Sequence, residues 1–115
     1  MKRDDDFLRK LLFRMEETDN PIYGAPDKLD GSNSKEIHHI RVLCDYGYVE
    51  QLSDHSYRLT GYGHDFIESI RDNNVWEKTK AAVAETGGSA TIEMIKALAT
   101  GFLKKKISEH TGVKI

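Results

Sequence analysis

Several things are scarce in this chain, and each scarcity removes a class of protein. Cys44 is the only cysteine, so no internal disulfide can form, and no Cys-x-x-Cys pair exists to hold a metal. No apolar run exceeds a few residues, which argues against a membrane-spanning helix. The opening "MKRDDDF" has charges with no apolar core behind them, so a secretory signal is not expected and the cytoplasm is the expected compartment. Excess positive charge is missing too. The formal net charge is −2, which disfavours a broad nucleic-acid footprint. The remaining composition, 38% hydrophobic and 31% charged over 115 residues, suits one soluble domain that buries a core without disulfides or metal.

The two prolines, Pro21 and Pro26, both fall in "DNPIYGAPDKLDGSN", residues 19 to 33. With Gly24 and Gly31 they break any helical stripe, so an irregular connection is expected there, with a short strand near Lys28-Leu29. Before it, Asp4 to Asp6 open a helix over roughly 4 to 18, with Phe7, Leu8, Leu11, Leu12 and Met15 on one face. After it, Asn33 and Glu36 have capping-box spacing, and Ile37, Ile40, Leu43 and Cys44 form the next stripe. Gly47 ends that helix as a left-handed cap. "YVEQL" and "SYRLT" then read as a hairpin turning at Ser53-Asp54-His55.

Thr60 is placed to cap a helix over about 61 to 72, with Phe66, Ile67 and Ile70 inward. Gly61 and Gly63 are poor helix formers, and their use is to let this helix start close against neighbouring backbone. Asn74 and Glu77 have capping-box spacing for a helix to about 85, with Val75, Trp76, Thr79 and Val83 inward, ended by Gly87-Gly88. A last helix is expected over 91 to 108. The fold class is therefore α+β and mostly helical, with a winged-helix-like order of helix, loop, helix and β-hairpin wing, followed by additional C-terminal helices. A convincing first helix of a helix-turn-helix pair is absent from 19 to 33.

The stretches "MKRD", "EIHHIRVLCDYGYVE", "RLTGYGHDFIESIRDNNVWEKTK" and "GGSATIEMIKALA" span nearly the whole chain. On them the chain resembles a family of short bacterial and phage proteins that carries a domain-of-unknown-function label, with winged-helix-like architecture. The resemblance implies a fold and a prophage or mobile-element setting. It implies no reaction and no catalytic residue.

The residues themselves carry little chemistry. His64-Asp65 would be a base with its orienting carboxylate, but helix neighbours point about 100° apart and no nucleophile elbow accompanies them. Gly63-His64-Asp65 reads as scaffold, with His64 or Asp65 bonding backbone near the helix start. His38, His39 and His55 lack the three- or four-residue spacing of helical zinc ligands, so one histidine is expected exposed and one partly packed. Cys44 reads as a small core residue, and Trp76 as a core anchor. Lys104, Lys105 and Lys106 read as a solvated last turn that complements the helix dipole. No catalytic residue, metal or cofactor is expected, and the chain does not read as an enzyme.

Two functions from different classes stay open. In the first, a DNA-binding or regulatory winged helix, Lys35, His38 and Arg41 of the recognition-position helix and His55 and Arg58 of the wing would meet double-stranded DNA. Residues 34 to 60 nevertheless set Lys35, Arg41 and Arg58 against Glu36, Asp45, Glu50 and Asp54, a net of −1, so such binding would be weak. The second is a protein-interaction or adaptor module with neither DNA binding nor catalysis. The apolar residues of the last helix spread beyond one narrow stripe. Ile95, Leu98, Phe102 and Leu103 are therefore candidates for a homodimer interface.

Overall fold

The computed structural model describes residues 1–25 and 33–115. Its helices are α1 (Asp5–Glu17), α2 (Ser34–Asp45), α3 (Gly61–Ile70), α4 (Asn73–Glu85) and α5 (Ile92–Thr111). Its strands are β1 (Tyr23–Gly24), β2 (Val49–Ser53) and β3 (Ser56–Leu59), antiparallel in the order β1-β3-β2. The chain is thus α+β and mostly helical. The strand expected near Lys28-Leu29 lies outside the described residues, as do Pro26 and Gly31. No helix of the described residues is long and apolar enough to cross a membrane. The fold divides into two compact units, Met1–Ile67 and Glu68–Ile115.

In the first unit, Asp4 caps α1 by accepting from the Phe7 amide at 3.0 Å, and Leu8, Leu11, Leu12 and Met15 are buried as the spacing predicts. Asn33 stands at the start of α2 but makes no side-chain cap bond, so the expected capping box is absent. Glu36 instead turns to α1 and β1, accepting from Arg14 Nη1 at 2.6 Å and from the Tyr23 hydroxyl at 3.0 Å. A carboxylate between two strong donors gains more than it would from one capping amide. The hairpin turns tightly at Asp54-His55, and a bulge between Gln51 and Ser53 lets Leu52 stand out of register.

One knot fixes where the hairpin leaves α2. Gly47 has φ +77, its amide donates to Cys44 O at 3.0 Å, and the Tyr48 amide donates to Leu43 O at 3.0 Å. This is the Schellman pattern, and it directs the chain straight into β2. Thr60 closes the knot from the far side of the hairpin. Its hydroxyl donates to Gly47 O at 2.5 Å and accepts from the Gly63 amide at 3.1 Å, while its own amide donates to Tyr48 O at 3.0 Å. Gly63 is then pressed against that carbonyl. A Cβ built on it would stand 2.1 Å from Tyr48 O, whereas Gly61 has nothing within 4 Å. The close approach belongs to Gly63 alone.

In the second unit, α4 is capped by Asp72 and not by Asn74. The Asp72 carboxylate accepts from the Val75 amide at 3.0 Å and also pairs with Lys106. The aspartate wins because its second oxygen reaches a lysine of α5. The residues Val75, Trp76 and Thr79 of α4 are buried, as expected, whereas Val83, also expected inward, is half-buried. Gly87 and Gly88, both at positive φ, turn the chain back, and α4 and α5 pack as a helical hairpin. Thr91 caps α5, with Met94 in the position where a capping box usually has a glutamate. Because α5 runs on to Thr111 and stops at Gly112, the three lysines lie within the helix and His110 occupies its last turn. This corrects their reading as a terminal turn.

Candidate functional site

The five residues considered for DNA contact all lie on α2 and the hairpin of the first unit. Lys35, His38 and Arg41 follow at three-residue steps and form a row along α2. Lys35 is already engaged. Its ammonium stands 2.8 Å from Asp4 Oδ2 and 4.7 Å from the centre of the Phe7 ring. Lys35 first, then the Phe7 amide, hold the Asp4 carboxyl below its usual range. In the hairpin, Arg58 stands opposite Glu50 in the strand register and meets its carboxylate at 2.8 Å. Among the described residues Arg41 forms no ion pair, and it is exposed. His38 is half-buried and meets His39 edge-on. His55 is exposed in the turn, and its carbonyl accepts from the Ala25 amide.

The histidine pair divides more sharply than the sequence suggests. His39 is fully buried. Its Nε2 accepts from the Asp4 amide at 2.8 Å, and its Nδ1 donates to Lys35 O at 2.7 Å. Those partners assign the neutral ring with its proton on Nδ1. His39 therefore ties the start of α1 to the first turn of α2, a structural task that leaves no lone pair for a metal. Its place four residues before buried Leu43 was the available signal. His64 and Asp65, by contrast, are both exposed. The backbone near the start of α3 is satisfied by the Thr60 hydroxyl, not by either of them.

Where α2, the hairpin and α3 meet, an open groove of about 850 Å³ is lined by Cys44, Gly47, Glu50, Arg58, Tyr62 and Asp65, among others. Tyr62 is 70% exposed, and Leu52 and Tyr46 also present large side chains to solvent. Burial, then the charge of Asp45, push the half-buried Cys44 thiol up, away from the reactive thiolate. β2 forms one edge of the sheet beside this groove, and its bulge at Leu52 blunts part of that edge. Tyr62 escaped the sequence reading because it sits between two glycines that pointed to helix geometry.

The four candidates for a homodimer surface separate in the second unit. Ile95 is 3% exposed and belongs to the buried residues of the chain. Leu98, Phe102 and Leu103 are half-buried.

Comparison with known proteins adds family but no chemistry. The family model described as "Hypothetical protein (DUF2513)" matches residues 2–89. A protein of Haemophilus influenzae described as "Uncharacterized protein" is 24% identical over 119 residues, a match that covers 94% of this chain and 100% of that protein. No solved structure matches the chain.

Proposed function

The chain belongs to the DUF2513 family of hypothetical proteins, and from that premise and its own surface we propose that it is a non-catalytic protein-interaction module. Its binding face is the groove where α2, the hairpin and α3 meet. The observation that carries this reading is the internal pairing of two of the three cations that a DNA contact would use. Lys35 is held by Asp4 and Arg58 by Glu50, so an approaching phosphate meets two neutral pairs and Arg41, the one of the three with no ion pair among the described residues, while Asp45, Asp54 and Asp65 of the same unit stand exposed. Nucleic-acid affinity comes largely from cations that release counterions, and this face offers few. Exposed Tyr62 and Tyr46 fit a protein partner better, since tyrosine is enriched in the cores of protein interfaces.

The second reading is a DNA-binding winged helix. The succession of α2 and hairpin, with the short β1 laid on β3, favours it, and Arg41 is available for a base edge. Both readings meet in one titration. The wild-type chain and an Asp4→Asn, Glu50→Gln variant are titrated with mixed-sequence duplex DNA across a salt series. Asparagine still caps a helix, so the variant keeps α1 while releasing Lys35 and Arg58. The protein-interaction reading expects no wild-type binding at low salt and a salt-dependent affinity appearing only in the variant. A wild-type affinity with a steep negative salt slope overturns it in favour of DNA.

A further inference from the structure

The second unit carries an apolar groove that the proposed function does not use. It lies between α4 and α5, has a volume of about 800 Å³, and is floored by Val83, Ala97, Leu98, Gly101 and Phe102. Met94 stands in it with 56% of its surface exposed. Small residues at 97 and 101 let another helix come near the α5 backbone. That alone does not say what covers the groove. The charges at its ends do.

Glu85 and Lys105 both line the groove, and both are exposed. Among the described residues neither forms an ion pair. Glu85 is the last residue of α4, so it lies at the loop end of the helical hairpin, the end at which Met94 lies in the first turn of α5. Lys105 follows Met94 by eleven positions, about 16 Å further along the helix. The groove therefore has an apolar middle, an unengaged carboxylate at one end and an unengaged ammonium at the other. A surface of that pattern is complementary to itself under a two-fold rotation, which sets each end on the opposite end of its mate.

We propose that this groove is a self-association surface, occupied by a second copy of the chain. The two α5 helices run antiparallel across the two-fold axis. Leu98 and Phe102 of each copy fill the middle, and Lys105 of each copy meets the partner's Glu85. Ile95 takes no part, because it is buried within its own chain.

The symmetry gives the test. Glu85→Lys places two like-charge contacts in a homodimer, and Lys105→Glu does the same. Each variant alone should self-associate about tenfold more weakly than wild type. Mixed together they form a heterodimer in which both contacts again join opposite charges, so the mixture should recover wild-type association. Ala97→Glu is a further probe. Ala97 is exposed and glutamate is a good helix former, so the change preserves α5, yet it sets a carboxylate in the apolar middle. Sedimentation equilibrium of the full-length chains, with circular dichroism to confirm folding, reads all of these. Wild type at tens of micromolar should exceed the 13.1 kDa of one chain and approach twice that mass. A wild-type mass that stays at one chain overturns the proposal and leaves the groove to a different protein. Failure of the mixed variants to associate better than either alone overturns the two-fold arrangement, and a folded Ala97→Glu chain that associates like wild type overturns the groove as the interface.

Discussion

Replacing Gly63 by alanine isolates the one place where backbone meets backbone in the hairpin knot. The methyl group would stand 2.1 Å from Tyr48 O and 3.1 Å from Tyr48 C. An ordinary carbon–oxygen contact is about 3.3–3.6 Å, so more than one ångström must be found. The carbonyl is poorly placed to give it, because it accepts the Thr60 amide at 3.0 Å. Forced overpacking costs about 1–3 kcal/mol, and loss of that hydrogen bond adds about 1 kcal/mol. The substitution also gains about 1 kcal/mol of helix propensity. The clash outweighs the gain, and a net loss of about 2 kcal/mol is expected, a fall in Tm of about 8 °C for a domain of this size. Gly61 is the control. It lies two residues earlier in the same helix, has nothing within 4 Å and does not have a positive φ. Its change to alanine should leave stability unchanged or raise it by up to about 1 kcal/mol. Thermal unfolding followed by circular dichroism, with urea unfolding alongside, measures both. If Gly63→Ala melts at or above the wild-type temperature, the close-approach argument is wrong.

Three further outcomes are expected. His39→Leu should cost about 2 kcal/mol in urea unfolding, because it strips the Asp4 amide of its buried acceptor, whereas exposed His64→Ala should stay within about 0.5 kcal/mol. Both Asp4 and Asp72 have folded pKa values lowered from 3.8, chiefly by Lys35 and Lys106 respectively. Their contribution to stability is therefore full above the unfolded value and is lost as pH falls through the lower folded value. A pH series of melting temperatures should show this acid-side loss flattened in an Asp4→Asn, Asp72→Asn chain, and an unchanged profile would refute the assignment. Finally, Asp72→Ala should lower the melting temperature more than Asn74→Ala, since Asp72 both caps α4 and pairs with Lys106.

Much of this protein was written in local pattern. The apolar spacing of α1, the Gly47 stop, the hairpin turn within Ser53-Asp54-His55 and the Thr60 cap depend on residues within a few positions of one another, and the structure bears them out, with Ser53 belonging to β2 and the turn itself at Asp54-His55. Even the use of Gly63 was legible, because a helix tolerates such a residue at a cost only where something else requires it. Three departures share one cause. Glu36 leaves its capping role for Arg14 and Tyr23, Asp72 takes the cap from Asn74 because Lys106 reaches it, and His39 is buried because the Asp4 amide needs an acceptor. Each depends on a partner more than ten positions away, or thirty and more for Asp72 and His39, and no local window contains it. The candidate face follows the same rule. The row Lys35, His38 and Arg41 is a property of helical spacing, but that Lys35 and Arg58 stand neutralised by Asp4 and Glu50 is decided only when the chain brings α1 to α2 and β2 to β3. Sequence determines which charges a surface owns, and tertiary structure determines which of them it can still offer.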